Sequence, residues 1–133
     1  MTSKSLEIYI DGASSGNPGP AGTGVVIYQN NRIIKNLSLP LGMQTNNFAE
    51  YSAMLFGLIE AVVLKAKNVK IYTDSELLHR QINKIYKVKS PGLLGLHERI
   101  QELIHVFDSV EIKYIPRRQN LSADRLARQA CLR

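Results

Sequence analysis

Leu6-Glu7-Ile8-Tyr9-Ile10-Asp11 runs directly into Gly12-Ala13-Ser14-Ser15-Gly16-Asn17-Pro18-Gly19-Pro20, and the junction between the two decides the fold. In the first stretch Leu6, Ile8 and Ile10 alternate with Glu7, Tyr9 and Asp11, the two-residue period of a strand. The second stretch is dense in turn formers, so the strand is expected to end at Asp11. Thr23 to Gln29 then reads as a second strand and Arg32 to Leu39 as a third, ended by Pro40-Leu41-Gly42. Asn30-Asn31 between them reads as a hairpin turn, since asparagine tolerates the positive φ of tight turns.

Beyond this meander the period changes. Apolar residues are nearly continuous between Asn47 and Lys65, over a span too long for one strand and free of proline, which predicts a largely buried helix. Val69 to Thr73 reads as a strand and Ser75 to Ile85 as a helix. After the Ser90-Pro91-Gly92 break a further helix is expected to Phe107, then a strand from Val110 to Ile115 and a closing helix from Asn120 to Ala130. This order predicts an α/β architecture, a five-stranded mixed sheet with three N-terminal meander strands and helices on both faces. A length of 133 residues, 44% of them hydrophobic, fits one domain spanning residues 1–133.

Seventeen Lys+Arg against 11 Asp+Glu give a net charge of +6, a field that attracts polyanions, nucleic acid foremost. Cys131 is the only cysteine, which excludes an intrachain disulfide and argues against a Cys-based zinc site. Neither a signal peptide nor a membrane-spanning run is visible, so a cytoplasmic monomer with no membrane partner is expected.

Four acids each have an ordinary structural explanation. Asp11-Gly12 is a common turn pair. Glu50, three residues after Asn47, fits a capping box at the start of the long helix. Asp74 stands between a strand and a helix, where it caps free N–H groups. Asp124 lies in the first turn of the last helix, where the macrodipole favours negative charge. Together they read differently. If the strands of Asp11 and Asp74 are parallel neighbours joined by the long helix, both carboxylates meet at the carboxyl edge of the sheet. Such crowding calls for a cation, and hard oxygen donors suit Mg²⁺ or Mn²⁺.

Tyr9 to Gly22 resembles the first motif of the type 1 ribonucleases H, an acid followed by a glycine-rich turn. Thr45-Asn46-Asn47-Phe48-Ala49-Glu50, Tyr72-Thr73-Asp74-Ser75, and Pro116 to Leu126 with Asn120 and Asp124 are similar to the other three motifs, in the family's order. The resemblance implies a ribonuclease H-like domain that cuts the RNA strand of RNA/DNA hybrids, leaving 5′-phosphate and 3′-hydroxyl ends. It implies two Mg²⁺ ions, with Asp11 bridging both, Glu50 and Asp74 supporting the one at the leaving 3′-oxygen, and Asp124 on the one that activates water. It also places Gly12, Ala13 and Asn17 toward the RNA strand, Asn46 and Asn47 in the minor groove, and Thr45 on a DNA phosphate.

The chain departs from the family's pattern in three places. No histidine stands in the loop Ile115 to Asn120, where Arg118 comes closest to the vacant position; an arginine holds phosphate but does not shuttle protons. Glu76 stands where a glutamine is usual. The basic helical handle is missing, with Lys84, Lys87 and Lys89 as partial substitutes and Arg117 and Arg118 as further phosphate contacts. These departures define the competing expectation, a catalytically weak or inactive nucleic-acid-binding module of the same fold.

Overall fold

In the computed structural model, which describes residues 4–133, the first strand does not stop at Asp11. This strand, β1 (Ser5–Ser14), stays paired with β2 (Gly19–Gln29) through Gly12↔Thr23, Ala13↔Gly22 and Ser14↔Ala21. The reversal is therefore confined to the few residues between Ser14 and Gly19. Gly12 serves a close approach and not a turn, because a Cβ there would lie 2.2 Å from the Ala49 carbonyl carbon.

The third strand, β3 (Arg32–Gln44), likewise runs through Pro40-Leu41-Gly42 instead of ending there. It is an edge strand bonded only to β2, so a proline costs no second ladder; a register shift at Ala21/Gly22 and a φ of 73° at Gly42 absorb it. Asn30 and Asn31 take positive φ at the hairpin, as read from the sequence.

The remaining elements are α1 (Asn46–Val63), β4 (Asn68–Thr73), α2 (Glu76–Ile82), α3 (Pro91–Ile104), β5 (Ser109–Tyr114) and α4 (Leu121–Cys131), with a 3₁₀ turn at Arg117–Gln119. Both middle helices are shorter than their apolar patterns suggest. Lys84 takes a φ of 63°, which ends α2 before Ile85, while Phe107 is buried from the turn after α3 and not from the helix itself.

The sheet has the order β3-β2-β1-β4-β5, with β4 parallel to both β1 and β5. Leu6, Ile8 and Ile10 of β1 and Val69 and Ile71 of β4 bury one face against Tyr51, Met54 and Leu58 of α1, and Leu78, Leu93 and Ile100 close this core. Each such side chain contributes about 1.5–3 kcal/mol on burial. The pairing of β1 with β4 ends at Tyr9↔Tyr72, so Asp11 and Asp74 emerge side by side just past the last rung.

The other face is covered by α4 over β2 and β1, and the fit is close because small residues meet small residues. Ala123, Ala127 and Ala130 are buried on Gly22 and Gly24. Where α4 does not reach, Tyr9 stacks on Tyr72 at 4.5 Å and the Tyr72 hydroxyl donates to Glu7 at 2.8 Å. Among the described residues no helix is long and apolar enough to cross a membrane.

A Cβ at Gly24 would meet the Ala123 carbonyl oxygen at 2.1 Å. Gly24→Ala is therefore expected to lift α4 and lower the unfolding free energy by about 1–3 kcal/mol, measured by urea titration.

Candidate active site

The cap of α1 explains how Glu50 comes to face the sheet. Thr45, with extended backbone, is the N-cap residue, and its hydroxyl accepts the Phe48 N–H at 3.1 Å. The capping box expected between Asn47 and Glu50 does not form, since the helix starts earlier and Glu50 falls on its inner side. There the carboxylate accepts the backbone N–H of Gly12, the residue whose missing Cβ lets α1 approach. A similar substitution frees Asp74: Ser75 caps α2 by accepting the Leu78 N–H at 3.1 Å, so Asp74 is not needed as a cap.

Ligand oxygens of Asp11, Glu50 and Asp74 all lie within 4.8 Å of one another. Asp124 lines the same cleft and interacts with Asp11 closely enough to shift its proton affinity. It also carries two guanidinium partners, Arg128 at 2.9 Å and Arg117 at 3.5 Å. The four acids line one cleft of about 640 Å³, with Gly12, Ala13, Ser14, Ser15, Asn46 and Ser75 among its walls.

Their proton affinities diverge. Burial, then the charges of Glu50 and Asp74, push Asp11 up to about 11. Burial raises Glu50 to about 7 although Asp11 and the Gly12 N–H pull the other way. Asp74 is raised by burial against the opposing charge of Arg117. Asp124 is the exception: burial raises it, but the hydrogen bonds from Asp11 and Arg128, with the charges of both arginines, outweigh this and hold it below its ordinary value.

The residues read from the sequence as substrate contacts divide. Gly12, Ala13, Asn46 and Arg117 line the cleft. Asn17 accepts the Asn46 N–H at 2.9 Å on its side-chain oxygen, and Thr45 caps α1, so both shape the rim. Asn47 is exposed in the first turn of α1. Arg118, expected nearest the vacant histidine position, points elsewhere and walls a separate cavity with Tyr9 and Tyr28; Arg117 takes the place beside Asp124. Glu76 pairs with Arg80 at 3.0 Å and does not reach the acids. None of His79, His97 and His105 lines the cleft.

Arg128, Cys131 and Leu132 line the cleft and were not read from the sequence as site residues. Arg128 was readable from its i,i+4 spacing to Asp124. Cys131 carried no such signal. Its thiol, raised by burial, bonds the carbonyls of Ala13 and Ala127 at 3.4 and 3.3 Å.

A family model described as reverse transcriptase-like matches residues 9–130. The N-terminal RNase H domain of Rv2228c from Mycobacterium tuberculosis superimposes with a TM-score of 0.92 at 38% identity, over 96% of this chain and 98% of that one. The chain belongs to the ribonuclease H family. Ribonuclease HI of Halobacterium salinarum is 36% identical over 94% of this chain and 63% of its own length. The ribonuclease H1 known as LC11, solved in complex with RNA/DNA hybrid, superimposes with a TM-score of 0.89 at 35% identity, over 95% of this chain and 96% of that one. The chain spans about a third of full-length Rv2228c, a mycobacterial protein described as bifunctional, of which it covers 34% at 39% identity. This ribonuclease H fold is thus shared with domains of longer proteins.

The cluster has a measurable cost without metal. Asp11 and Glu50 bind protons more tightly folded than unfolded, so their contribution to stability is complete below about pH 4 and is lost as pH rises through about 7 and toward 11. In EDTA the melting temperature should therefore fall from pH 5 to pH 8. Asp11→Asn should be the more stable protein at pH 8, with the difference shrinking at pH 5; scanning calorimetry at both values checks this.

Proposed function

We propose that this chain hydrolyses the RNA strand of RNA/DNA hybrids in a divalent-metal-dependent reaction, with Asp11, Glu50, Asp74 and Asp124 as its catalytic acids and 5′-phosphate and 3′-hydroxyl ends as products. The observation that carries the reading is the convergence of three carboxylates within 4.8 Å, with Asp124 lining the same open cleft. The donor set fits hard cations: carboxylate oxygens crowded against their own repulsion, with the cleft's one thiol tied to main-chain carbonyls. Two Mg²⁺ ions, or Mn²⁺ in their place, would supply the positive charge that steadies the attacking and leaving oxygens.

The chain's own groups set the frame. Asp11 stands at the centre, within reach of the other three acids, which suits a bridging carboxylate. Glu50 and Asp74 flank it from the α1 and β4 sides. Asp124 enters from α4 already ionised and held by Arg117 and Arg128. No side-chain nucleophile is called for, in keeping with direct attack by water.

Hybrid binding is supported by the relative solved with an RNA/DNA hybrid and by the cleft's walls. Gly12 and Ala13 bring main chain close to the acids, where it can sense 2′-hydroxyls. Thr45 accepts its cap bond and keeps its own hydroxyl proton to donate to a phosphate. Asn17 keeps its amide N–H groups after accepting from Asn46, while Asn46 and Asn47 stand at the start of α1 facing a shallow minor groove. Lys84, Lys87 and Lys89 are exposed cations on the segment after α2.

Asp11→Asn is expected to lower Mg²⁺-dependent cleavage of labelled hybrid by at least ~10²-fold with the fold intact by circular dichroism. Near-wild-type cleavage by that variant would overturn the assignment. Binding of hybrid by the wild type, with no metal-dependent cleavage, would instead mark a binding module. The two arginines should separate in a salt series of hybrid binding measured in Ca²⁺. Arg117→Ala is expected to flatten the slope by roughly one unit, one phosphate contact, and Arg118→Ala to leave it unchanged.

A further inference from the structure

We propose that Asn120 is a positioning residue that ties the segment carrying Asp11 to the one carrying Asp124; the inference rests on the four-acid reading above. Asn120 is 1% exposed. Its side-chain Nδ2 donates to the carbonyl of Ile10, the residue before Asp11, at 2.8 Å. The same amide lies close enough to the Asp74 carboxylate to favour its ionised form. Its main-chain carbonyl accepts the N–H of Asp124 at 3.1 Å. One buried residue thereby joins the end of β1 to the first turn of α4.

The oxygen of this amide shows what the residue is for. Asparagine at a helix N-cap ordinarily uses Oδ1 to accept an N–H of the first turn. At α4 no such side-chain cap bond exists, and Asn120 Oδ1 is the one buried side-chain polar atom without a partner among the described residues. An unpaired buried acceptor destabilises the fold, so the residue is not explained by its oxygen. Its nitrogen explains it. A neutral amide reaches the Ile10 carbonyl with an N–H, whereas lysine or arginine would bring a charge into a buried space. Asn120 also lies off the catalytic cleft and instead walls the separate cavity of about 180 Å³ with Tyr9 and Tyr28, so it acts through the acids and not on substrate.

Capping and positioning make opposite forecasts for two variants. Serine and aspartate are both good N-caps, and aspartate gains further from the helix macrodipole. If Asn120 only capped α4, Asn120→Ser and Asn120→Asp would match or exceed the wild type. If it positions the acids, Asn120→Ser should raise the Mg²⁺ concentration for half-maximal hybrid cleavage by about 10-fold or more, with KM for hybrid unchanged. The rise in melting temperature that Mg²⁺ induces in the protein alone should shrink in parallel. Asn120→Asp keeps the volume but sets an oxygen against the Ile10 carbonyl, and in EDTA it should melt below Asn120→Ser.

A wild-type Mg²⁺ requirement and melting shift in Asn120→Ser would overturn the proposal. So would failure of both variants to fold in saturating Mg²⁺, which would make the residue purely structural. If the wild type itself shows neither cleavage nor a Mg²⁺-induced melting shift, the four-acid reading falls and takes this one with it. A wild-type response that Asn120→Ser shares removes this inference alone.

Discussion

Everything at the site depends on the parallel pairing of β1 with β4 and on the point where it stops. The last rung is Tyr9↔Tyr72, and the two chains then carry Asp11 and Asp74 forward abreast. Two unit charges about 5 Å apart repel by roughly 3 kcal/mol at an effective dielectric near 20. That is comparable to the burial of one large core side chain, so the packing of Ile8, Ile10 and Ile71 beneath the acids can hold the strands in register against it. The repulsion is not removed. It is kept as a standing affinity for positive charge.

Around this pair the fold supplies the other two acids by close contact of backbone, not by long side chains. Glu50 reaches in because Gly12 has no Cβ, and Asp124 because Gly22 and Gly24 let α4 lie directly on the sheet. The two additions differ electrically. Glu50 is enclosed and raised, whereas Asp124 sits at the rim between two guanidinium groups and is lowered. Neighbouring carboxylates of one cluster are thus driven apart in proton affinity.

Most of the fold was legible in the sequence because its periods are strong. The strands, the buried α1, the parallel neighbours and the meander all follow from where apolar residues fall. The misjudged points share a cause, a local signal overruled by a distant partner. Gly12 looks like a turn former, yet its reason is Ala49. Glu50 looks like a capping residue, yet Thr45 caps and Glu50 bonds Gly12, 38 positions away. Pro40 looks like a strand end, yet an edge strand tolerates it. Arg117 and Arg118 are indistinguishable in sequence, and the 3₁₀ turn that carries them sends one to the acids and the other to the tyrosines. Family motifs brought out the four acids; the partners that tune them, Arg128 among them, came from the fold.

The bond from Asn120 to Ile10 bridges 110 positions, nearly the whole span of the fold. During synthesis, β1, α1 and β4 are all available before α4 leaves the ribosome, and domains tend to fold from the N-terminus forward. The acid centre therefore cannot close until the last helix docks. A partly made or partly unfolded chain holds at most three of the four carboxylates in place, and fraying of α4 alone would open the centre while the sheet persists. The helix acts as a latch: the four acids come together only once α4 has docked on the sheet.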